Sequence, residues 1–254
     1  MSMESDLNIE LNPVNIKLLT LQDDVRNFFD WELSDDIDSA NNLLKYVENS
    51  NKKSWIRTER NKTLLRVITK LKGSNGNIVI IGAAISTSEI KEMINPNNLF
   101  VAADGAVGIF STLPDTLSKL AWSKLVCVVS DADGGKGTEQ AFVRGVPIIL
   151  HAHGDNQNSW KKLLILDKSY DKTKIVLTHQ IPNKIDGMYN IGGFTDGDRA
   201  ACFVRSAGVP NDNIIMAGTR TDIVGKWSGI TNKNLKLLKL EWMAKVLSLL
   251  KIKY

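Results

Sequence analysis

The sequence has few cysteines, few histidines and no long apolar run, and each shortage excludes a class of protein. It contains two cysteines and three histidines in 254 residues. Cys127 and Cys202 lie in apolar stretches without a CxxC spacing, so we expect buried free thiols and no cysteine zinc site. The longest apolar runs, about seven residues, are far shorter than the ~20 that cross a bilayer. No secretory signal is visible, and we expect a cytoplasmic protein with no membrane partner.

An excess of charge of one sign is also lacking. The formal net charge is +4, with 43% hydrophobic and 24% charged residues. These proportions are typical of a globular protein with a sizeable core. The positive excess is too small to predict a nucleic-acid partner, and it is equally compatible with a small anionic ligand.

The first 76 residues contain almost no glycine and carry helical rather than strand patterns. Three amphipathic stretches, around 25–33, 40–47 and 55–71, precede a glycine-containing stop at 73–76. We predict an N-terminal helical region over residues 1–76, packed on an α/β catalytic domain over 77–254. Its role is open between a lid and a contact in a homodimer.

From residue 77 onward, short apolar runs alternate with turns and helical segments. The first four runs are apolar throughout, as expected for parallel strands that are buried on both faces. The repeated order predicts an α/β fold, with a doubly wound, mostly parallel sheet flanked by helices. The strands are predicted at 78–81, 99–103, 125–129, 147–150, 175–178, 188–191 and 214–217. Crossover helices are predicted at 86–93, 106–121, 137–144 and 198–207, with a closing helix at 232–253.

Polar and glycine-rich turns follow several of these strands, at the edge where open α/β sheets bind ligands. Gly82 begins a turn before a helix start that offers free N–H groups to an anion. The turn matches neither GxGxxG nor the Walker A pattern, so an ordinary connection is at least as compatible. Asp104 is a candidate acceptor for a ribose or a heterocycle N–H, or a helix cap.

Asp131 and Asp133 flank one residue at the end of a predicted strand. In extended geometry residues i and i+2 point the same way, and two converging carboxylates repel each other unless a cation lies between them. Carboxylate oxygens favour Mg²⁺ or Ca²⁺. The alternative is a solvated acidic turn.

His151, His153 and Asp155 follow the next strand with the same spacing. The interpretation we favour has the imidazoles donating to phosphate oxygens and Asp155 acting as a Mg²⁺ ligand or base. Zinc on His-x-His is an alternative that lacks a fourth ligand, and a purely structural role remains open for at least one histidine.

The third cluster contains Asp196, Asp198 and Arg199. One acid is expected to cap the following helix, while the other binds metal or substrate. Arg199 is a candidate phosphate clamp or the partner of a neighbouring acid. Phe194 and Trp227 are candidate stacking faces for a heterocycle.

Four strings in this order, ADGA (103–106), SDADG (130–134), HAHGDN (151–156) and FTDGDRA (194–200), carry a resemblance. Over roughly residues 77–225 the chain resembles the archaeal 6-hydroxymethyl-7,8-dihydropterin pyrophosphokinases, the MptE-like proteins. Thiamin pyrophosphokinases use a related acidic arrangement. The resemblance implies Mg²⁺-dependent transfer of the terminal diphosphate of ATP to the pterin hydroxymethyl group, with release of AMP. The product would enter tetrahydromethanopterin or folate synthesis.

The resemblance also implies roles for individual residues. Asp131, Asp133 and Asp155 would hold Mg²⁺ and the β- and γ-phosphates, and His151 or His153 would donate to the phosphate chain or the leaving AMP. The resemblance places Asp104 and Asn156 near the pterin or nucleotide. The other residues that we predict to bind substrate or nucleotide are Gly82, Gly105, Gly134, Asp196, Asp198 and Arg199.

Two strings depart from the family pattern. The glycine turn after residue 81 lacks the usual GxGPSL form, which weakens the expectation of close nucleotide approach at Gly82. The acidic turn has Ser-Asp-Ala-Asp where Thr-Asp-Leu-Asp is more usual, and both carboxylates are retained.

Three other functions remain open at this point. Thiamin pyrophosphokinase would be the same chemistry on another heterocycle. A nucleotide- or nucleotide-sugar-binding protein without catalysis would use the same acidic turns. A metal-dependent hydrolase using His-x-His would hold zinc.

Overall fold

A computed structural model describes residues 9–167, 172–229 and 232–254. At its centre lies a six-stranded sheet in which every pairing is parallel, with strand order β5-β4-β3-β2-β1-β6. The predicted α/β class is therefore confirmed. The strands are β1 (Ile78–Ile81), β2 (Leu99–Ala103), β3 (Leu125–Ser130), β4 (Ile148–Ala152), β5 (Ile175–His179) and β6 (Ile214–Ala217).

Helices connect the strands and cover both faces of the sheet. The α-helices are α1 (Lys17–Phe29), α2 (Leu33–Glu48), α3 (Arg57–Lys72), α4 (Thr87–Met93), α5 (Asp115–Lys124), α6 (Gly135–Val143), α7 (Gln157–Ile165), α8 (Asp196–Ser206) and α9 (Lys233–Leu250). Short 3-10 helices occupy Lys53–Trp55, Asp104–Thr112 and Asn211–Asn213. No helix in the described ranges is both long enough and apolar enough to cross a membrane.

The strands are apolar on both sides because both sides are buried. Ile78 and Ile80 of β1 pack into one hydrophobic cluster, which α1, α3, α8 and α9 complete. Val79 and Ile81 belong to a second cluster, which the other helices and the long 3-10 helix complete. Since successive side chains of a strand face opposite ways, a continuous apolar run fills both cores.

The N-terminal helices lie on both sides of the sheet. Leu18 of α1 and Leu64 of α3 are fully buried in the first cluster, whereas Leu43 of α2 is fully buried in the second. The predicted N-terminal helices are therefore present, and they contribute to both cores. Cys127 and Cys202 are buried free thiols, as expected.

Three details differ from the sequence expectations. Residues 188–191 form only an isolated bridge between Thr178 and Tyr189, and the flanking Gly187 and Gly192 both have positive φ angles that interrupt a strand. The predicted helix over 106–121 is split, because Pro114 ends the 3-10 segment and begins α5. Helix α7 was not predicted.

The order of the strands determines where a ligand can bind. From β1 to β5 each new strand is added on the same side, and β6 returns to the other side of β1. The crevice outside the carboxyl ends at such a reversal is the usual ligand site of open α/β sheets.

Candidate active site

A cleft lies at the carboxyl ends of the strands, and with the open solvent at its mouth it has a volume of about 1090 Å³. Loops that follow all six strands line it. Each loop contributes at least one lining residue, and in the order β1 to β6 these include Gly82, Asp104, Asp131, His153, Gln180 and Gly218.

Three carboxylates converge in this cleft. One oxygen from each of Asp104, Asp131 and Asp133 lies within 4.8 Å of the others. Asp104 is buried, and its Oδ1 accepts hydrogen bonds from Ser130 Oγ and from Thr138 Oγ1, the latter at 2.9 Å. These three acids therefore form one candidate divalent-cation site that is built from the ends of β2 and β3.

The two acids of the SDAD string converge through a turn rather than through the extended geometry we expected. Ala132 between them has φ +74°, a left-handed conformation that non-glycine residues rarely adopt. Its N–H donates to Ser130 Oγ at 2.8 Å. Asp104 also has a positive φ, of +45°. Backbone strain of this kind is common at functional sites, where the surrounding structure holds it in place.

The electrostatics of the cluster show the cost of gathering these charges. Burial raises the pKa of Asp104 well above its usual value, and the charges of Asp196, Asp131 and Asp133 add to the rise. Burial and the charge of Asp131 likewise raise the pKa of Asp133. Burial also opposes ionisation of Asp131, but hydrogen bonding and attraction to His153, with the charge of Arg199, hold its pKa below the usual range. Asp131 is therefore the acid that stays ionised.

The two histidines of the HAHGDN string have different surroundings. His153 lines the cleft, and its Nε2 lies 3.1 Å from Asp131 Oδ2. His151 is buried, with Nδ1 3.0 Å from Thr178 Oγ1 and Nε2 3.4 Å from Gln180 Oε1. Burial, then the charges of Arg199 and His153, lower the pKa of His151 well below its usual value. Of these two histidines only His153 lines the cleft, and the cluster of described residues that could hold a metal ion contains no histidine.

The rest of that string supports the backbone. Asn156 is buried and donates to the carbonyls of Asp131, at 3.0 Å, and His151, at 2.7 Å. It thereby joins the ends of β3 and β4. Asp155 is exposed and belongs neither to the cleft lining nor to the three-carboxylate cluster. The structure therefore does not bring Asp155 together with Asp131 and Asp133.

The FTDGDR string divides its acids between two roles. The N-cap of α8 is Thr195 rather than either acid, and Asp198 completes a capping box by accepting from the backbone N–H groups of Phe194, at 2.6 Å, and Thr195, at 2.7 Å. Asp196 lines the cleft, and its buried Oδ1 has no hydrogen-bond partner. Burial, then the charge of Asp131, raise the pKa of Asp196 to about 8. Arg199 also lines the cleft, with Nη1 3.6 Å from that oxygen.

A buried network from the N-terminal helices supports the cleft, and sequence reasoning missed it. Asp36 of α2 accepts from Gln180 Nε2, at 2.9 and 3.0 Å, from the Gly154 N–H, at 2.7 Å, and from Arg26 Nη1, at 2.9 Å. This fixes the orientation of the Gln180 amide, whose Oε1 accepts from Arg199 Nη2 at 3.0 Å. The only sequence signal is an acid within an amphipathic helix, which normally indicates a solvated residue.

Asp36→Asn is expected to destabilise the protein by about 2–4 kcal/mol, because the buried Arg26 loses the buried one of its two charged partners, keeping only Asp23, and one of the donors loses an acceptor. Urea unfolding monitored by circular dichroism measures the change. Asp35→Asn is the matched control, since Asp35 is exposed in the same first turn of α2. Equal stability of the two variants would contradict the supporting role of Asp36.

Two of the predicted site glycines pack too closely for any side chain. A Cβ on Gly134 would lie 2.2 Å from Asp104 Oδ2 and 2.2 Å from the Gly105 nitrogen. A Cβ on Gly105 would lie 2.7 Å from the Gly134 carbonyl oxygen. These glycines let the loops after β2 and β3 touch, which brings Asp104 next to the SDAD turn.

Gly134→Ala is therefore expected to lower the stability by about 1–3 kcal/mol and to prevent any stabilisation by Mg²⁺ that the three carboxylates give the parent chain. Thermal melting with EDTA and with Mg²⁺ measures both effects. Gly197→Ala is the control, because its Cβ would meet two side-chain atoms at ordinary contact distances, Met243 Sδ at 3.6 Å and Thr195 Oγ1 at 3.9 Å. A Gly134→Ala variant that Mg²⁺ still stabilises like the parent would argue against this close approach.

Aromatic and cationic side chains complete the cleft. Phe194 and Trp227, both predicted as stacking faces, line it, and so does Trp31 from the loop between α1 and α2. Lys236 and Lys239 of α9 also line the cleft, and neither was predicted. They occur in a lysine-rich amphipathic helix, where a solvated face is the ordinary interpretation.

Comparison with known proteins adds a second line of observation. No family model matches the chain. The chain is similar to three proteins named 6-hydroxymethyl-7,8-dihydropterin pyrophosphokinase. The protein from Methanocaldococcus jannaschii is 30% identical over 190 residues, which cover 69% of this chain and 67% of that protein.

The other two matches are shorter. The protein from Pyrococcus furiosus is 33% identical over 131 residues, covering 50% of this chain and 48% of that protein. The protein from Methanothermobacter thermautotrophicus is 31% identical over 122 residues, covering 46% and 44%. This chain thus aligns with about half the length of these two relatives and with two thirds of the length of the Methanocaldococcus jannaschii protein. With the carboxylate-lined cleft, these matches show that the chain belongs to the 6-hydroxymethyl-7,8-dihydropterin pyrophosphokinase family.

Proposed function

We propose that this chain transfers diphosphate from ATP to 6-hydroxymethyl-7,8-dihydropterin in a Mg²⁺-dependent reaction that releases AMP. The convergence of Asp104, Asp131 and Asp133 at the carboxyl edge of the sheet carries the proposal. Membership of the family supports the choice of substrates. We place the product in tetrahydromethanopterin or folate synthesis.

The residues present fit a magnesium ion. Three carboxylate oxygens within 4.8 Å of one another are the hard ligands that Mg²⁺ prefers, and it usually combines one or two carboxylates with substrate phosphates. The raised pKa values of Asp104 and Asp133, caused by burial and like charges, indicate a strain that a cation would relieve. When bound, Mg²⁺ would neutralise the phosphate oxygens as charge develops in the transition state.

The side chains of the cleft bind and orient the two substrates. Arg199, held by Gln180, binds a phosphate oxygen with the guanidinium hydrogens that the protein leaves free. His153, fixed by Asp131, donates to the phosphate chain near the departing AMP. Trp31, Phe194 and Trp227 supply apolar surface for the two heterocycles and exclude water from it.

The reaction is an in-line displacement at the β-phosphorus. The pterin hydroxyl oxygen forms a bond to that phosphorus, while the bond to the oxygen shared with the α-phosphate breaks and AMP leaves. The hydroxyl proton passes to Asp196, whose Oδ1 is unpartnered and whose pKa burial and Asp131 raise to about 8. An acid with a pKa near the working pH is well suited to accept it.

A screen of acceptors tests the proposal. ATP and Mg²⁺ are incubated with the reduced pterin alcohol, with thiamin or with no acceptor, and AMP is quantified by chromatography. We expect AMP only with the pterin alcohol. AMP release with thiamin alone would assign the related activity, and nucleotide binding without AMP release from any mixture would favour a non-catalytic protein. Tightly bound zinc, found by elemental analysis, would instead favour the hydrolase.

A further inference from the structure

The cleft contains cations that face its carboxylates, and the catalytic roles given above do not use all of them. Lys236 and Lys239 lie three residues apart on α9, so they share one face of that helix. Both line the cleft together with Arg199. The same cavity thus has an acidic wall, formed by the ends of β2 and β3, and a basic wall, formed by α8 and α9.

Aromatic rings rather than carboxylates hold Lys239. Its Nζ lies 4.9 Å from the centroid of the Trp31 ring and 6.0 Å from that of Phe194. Such contacts stabilise a cation without neutralising it. Over residues 9–167, 172–229 and 232–254, no ion pair involves Lys236 or Lys239.

Arg199 independently indicates that the basic wall binds a ligand. Its side chain is only 3% exposed, and its buried Nε has no hydrogen-bond partner. A buried donor without an acceptor costs free energy, which a bound oxyanion would recover. Burial, then the charges of Lys236 and Arg199, lower the pKa of Lys239, as expected for cations gathered without an anion.

Lys236 belongs to the basic wall and lines the same cavity as Asp133 and Asp196. A phosphate held by Lys236 would therefore lie next to the carboxylate cluster. This arrangement suits a chain of phosphates, one end at the acidic wall with its cation and the other at the lysines.

We propose that Lys236 and Lys239 of α9, with Arg199, bind the terminal phosphates of a polyphosphate chain and thereby select a triphosphate over shorter phosphates. The inference rests on the proposed function for the identity of the triphosphate as ATP. In this arrangement the lysines of α9 bind the diphosphate that is transferred, while residues at the ends of β2 and β3 supply the cation ligands.

Binding of inorganic tripolyphosphate tests this assignment, because the probe has no base or sugar. Calorimetry with Mg²⁺ is carried out on the whole chain and on Lys236→Met, Lys239→Met, Lys239→Arg and Lys245→Met. Methionine keeps the apolar stem and removes the charge. Lys245 is the matched control, since it also lies on α9 over an aromatic ring, Trp242, but outside the cleft.

We expect each methionine variant in the cleft to bind tripolyphosphate at least about tenfold more weakly, as for the loss of a charged hydrogen bond. Lys239→Arg should stay within about threefold of the parent, because it keeps the charge. Lys245→Met should bind like the parent. The melting temperature checks folding, and if Lys239→Met does not fold, the Lys236→Met variant decides.

Parent-like binding by both cleft variants would overturn the inference, and so would a parent chain that does not bind tripolyphosphate. The acceptor screen separates the two proposals. If tripolyphosphate binding depends on the lysines but the chain never releases AMP, this inference is supported and the proposed reaction is contradicted. AMP release that is unaffected by the lysine variants would do the reverse.

Discussion

Asp131→Asn should reduce AMP release by about a hundredfold to a thousandfold, the range found when a single preorganised electrostatic group is removed. Asp131 is the acid of the cluster that stays ionised, since His153 and Arg199 hold its pKa low against burial. Asparagine has nearly the same shape but no charge, so the fold should persist. The measurement is kcat for AMP release as Mg²⁺ is varied, with the melting temperature as a check on folding.

Two further variants make this result interpretable. Asp212→Asn, an exposed change outside the cleft, should leave the rate unaltered. Asp155→Asn decides between the ligand set predicted from the sequence and the set that the structure brings together. We expect little loss, because Asp155 is exposed and apart from the cluster. A loss at Asp155 as large as that at Asp131 would mean that the metal is held differently.

The second large effect is a pH dependence of stability that originates at Asp196. Its pKa rises from 3.8 to about 8 on folding, through burial and then the charge of Asp131. A raised acid pKa means that the folded state keeps a proton that the unfolded state has lost. The stabilisation is fully present below about pH 4 and is lost as the pH rises toward 8, by up to about 1.4 kcal/mol per pH unit.

Asparagine at position 196 imitates the protonated acid, so Asp196→Asn should match the parent near pH 4 and exceed it increasingly up to pH 8. Denaturant unfolding in EDTA at several pH values measures the difference in unfolding free energy between Asp196→Asn and the parent. The titration of other groups affects both proteins equally and cancels in this difference. Asp115→Asn is the control, because Asp115 is the first residue of α5 as Asp196 is of α8, but is exposed. A difference that does not change with pH would show that Asp196 is ionised throughout.

The sheet could be predicted from the sequence because its signal is local. A run such as 78–81 has no polar residue, and its short length between glycine turns is typical of a strand that is buried on both faces. The break of the helix at Pro114 was missed, although proline marks it, because the apolar periodicity on either side runs through it. Helix α7 was not predicted because it begins directly after the polar HAHGDN string, whose residues were interpreted as parts of a binding site rather than as the start of a helix.

The acids of the candidate site could be found because strand ends meet at one edge of a parallel sheet. Asp104, Asp131 and Asp133 follow adjacent strands and do converge. Asp155, which follows the next strand, is instead directed to the surface by its turn. Sequence spacing fixes the strand from which a residue comes, but the φ angles of the turn decide its direction.

The remaining site residues could not be found in this way, because distant parts of the chain bring them together. Asp36 reaches Gln180 across 144 positions, and Trp31 meets Lys239 between the first and last helices. No local pattern distinguishes such residues from an ordinary helical surface. Their roles follow only from tertiary contacts.

The products formed from ATP, Mg²⁺ and the reduced pterin alcohol test the central claim most directly. Mass spectrometry should find AMP and the pterin diphosphate in equal amounts, and both products should form about a hundredfold to a thousandfold more slowly in the Asp131→Asn and Asp133→Asn variants. ADP with a pterin monophosphate would contradict the proposed attack on the β-phosphorus, and undiminished products from both variants would contradict a cation site formed by these carboxylates.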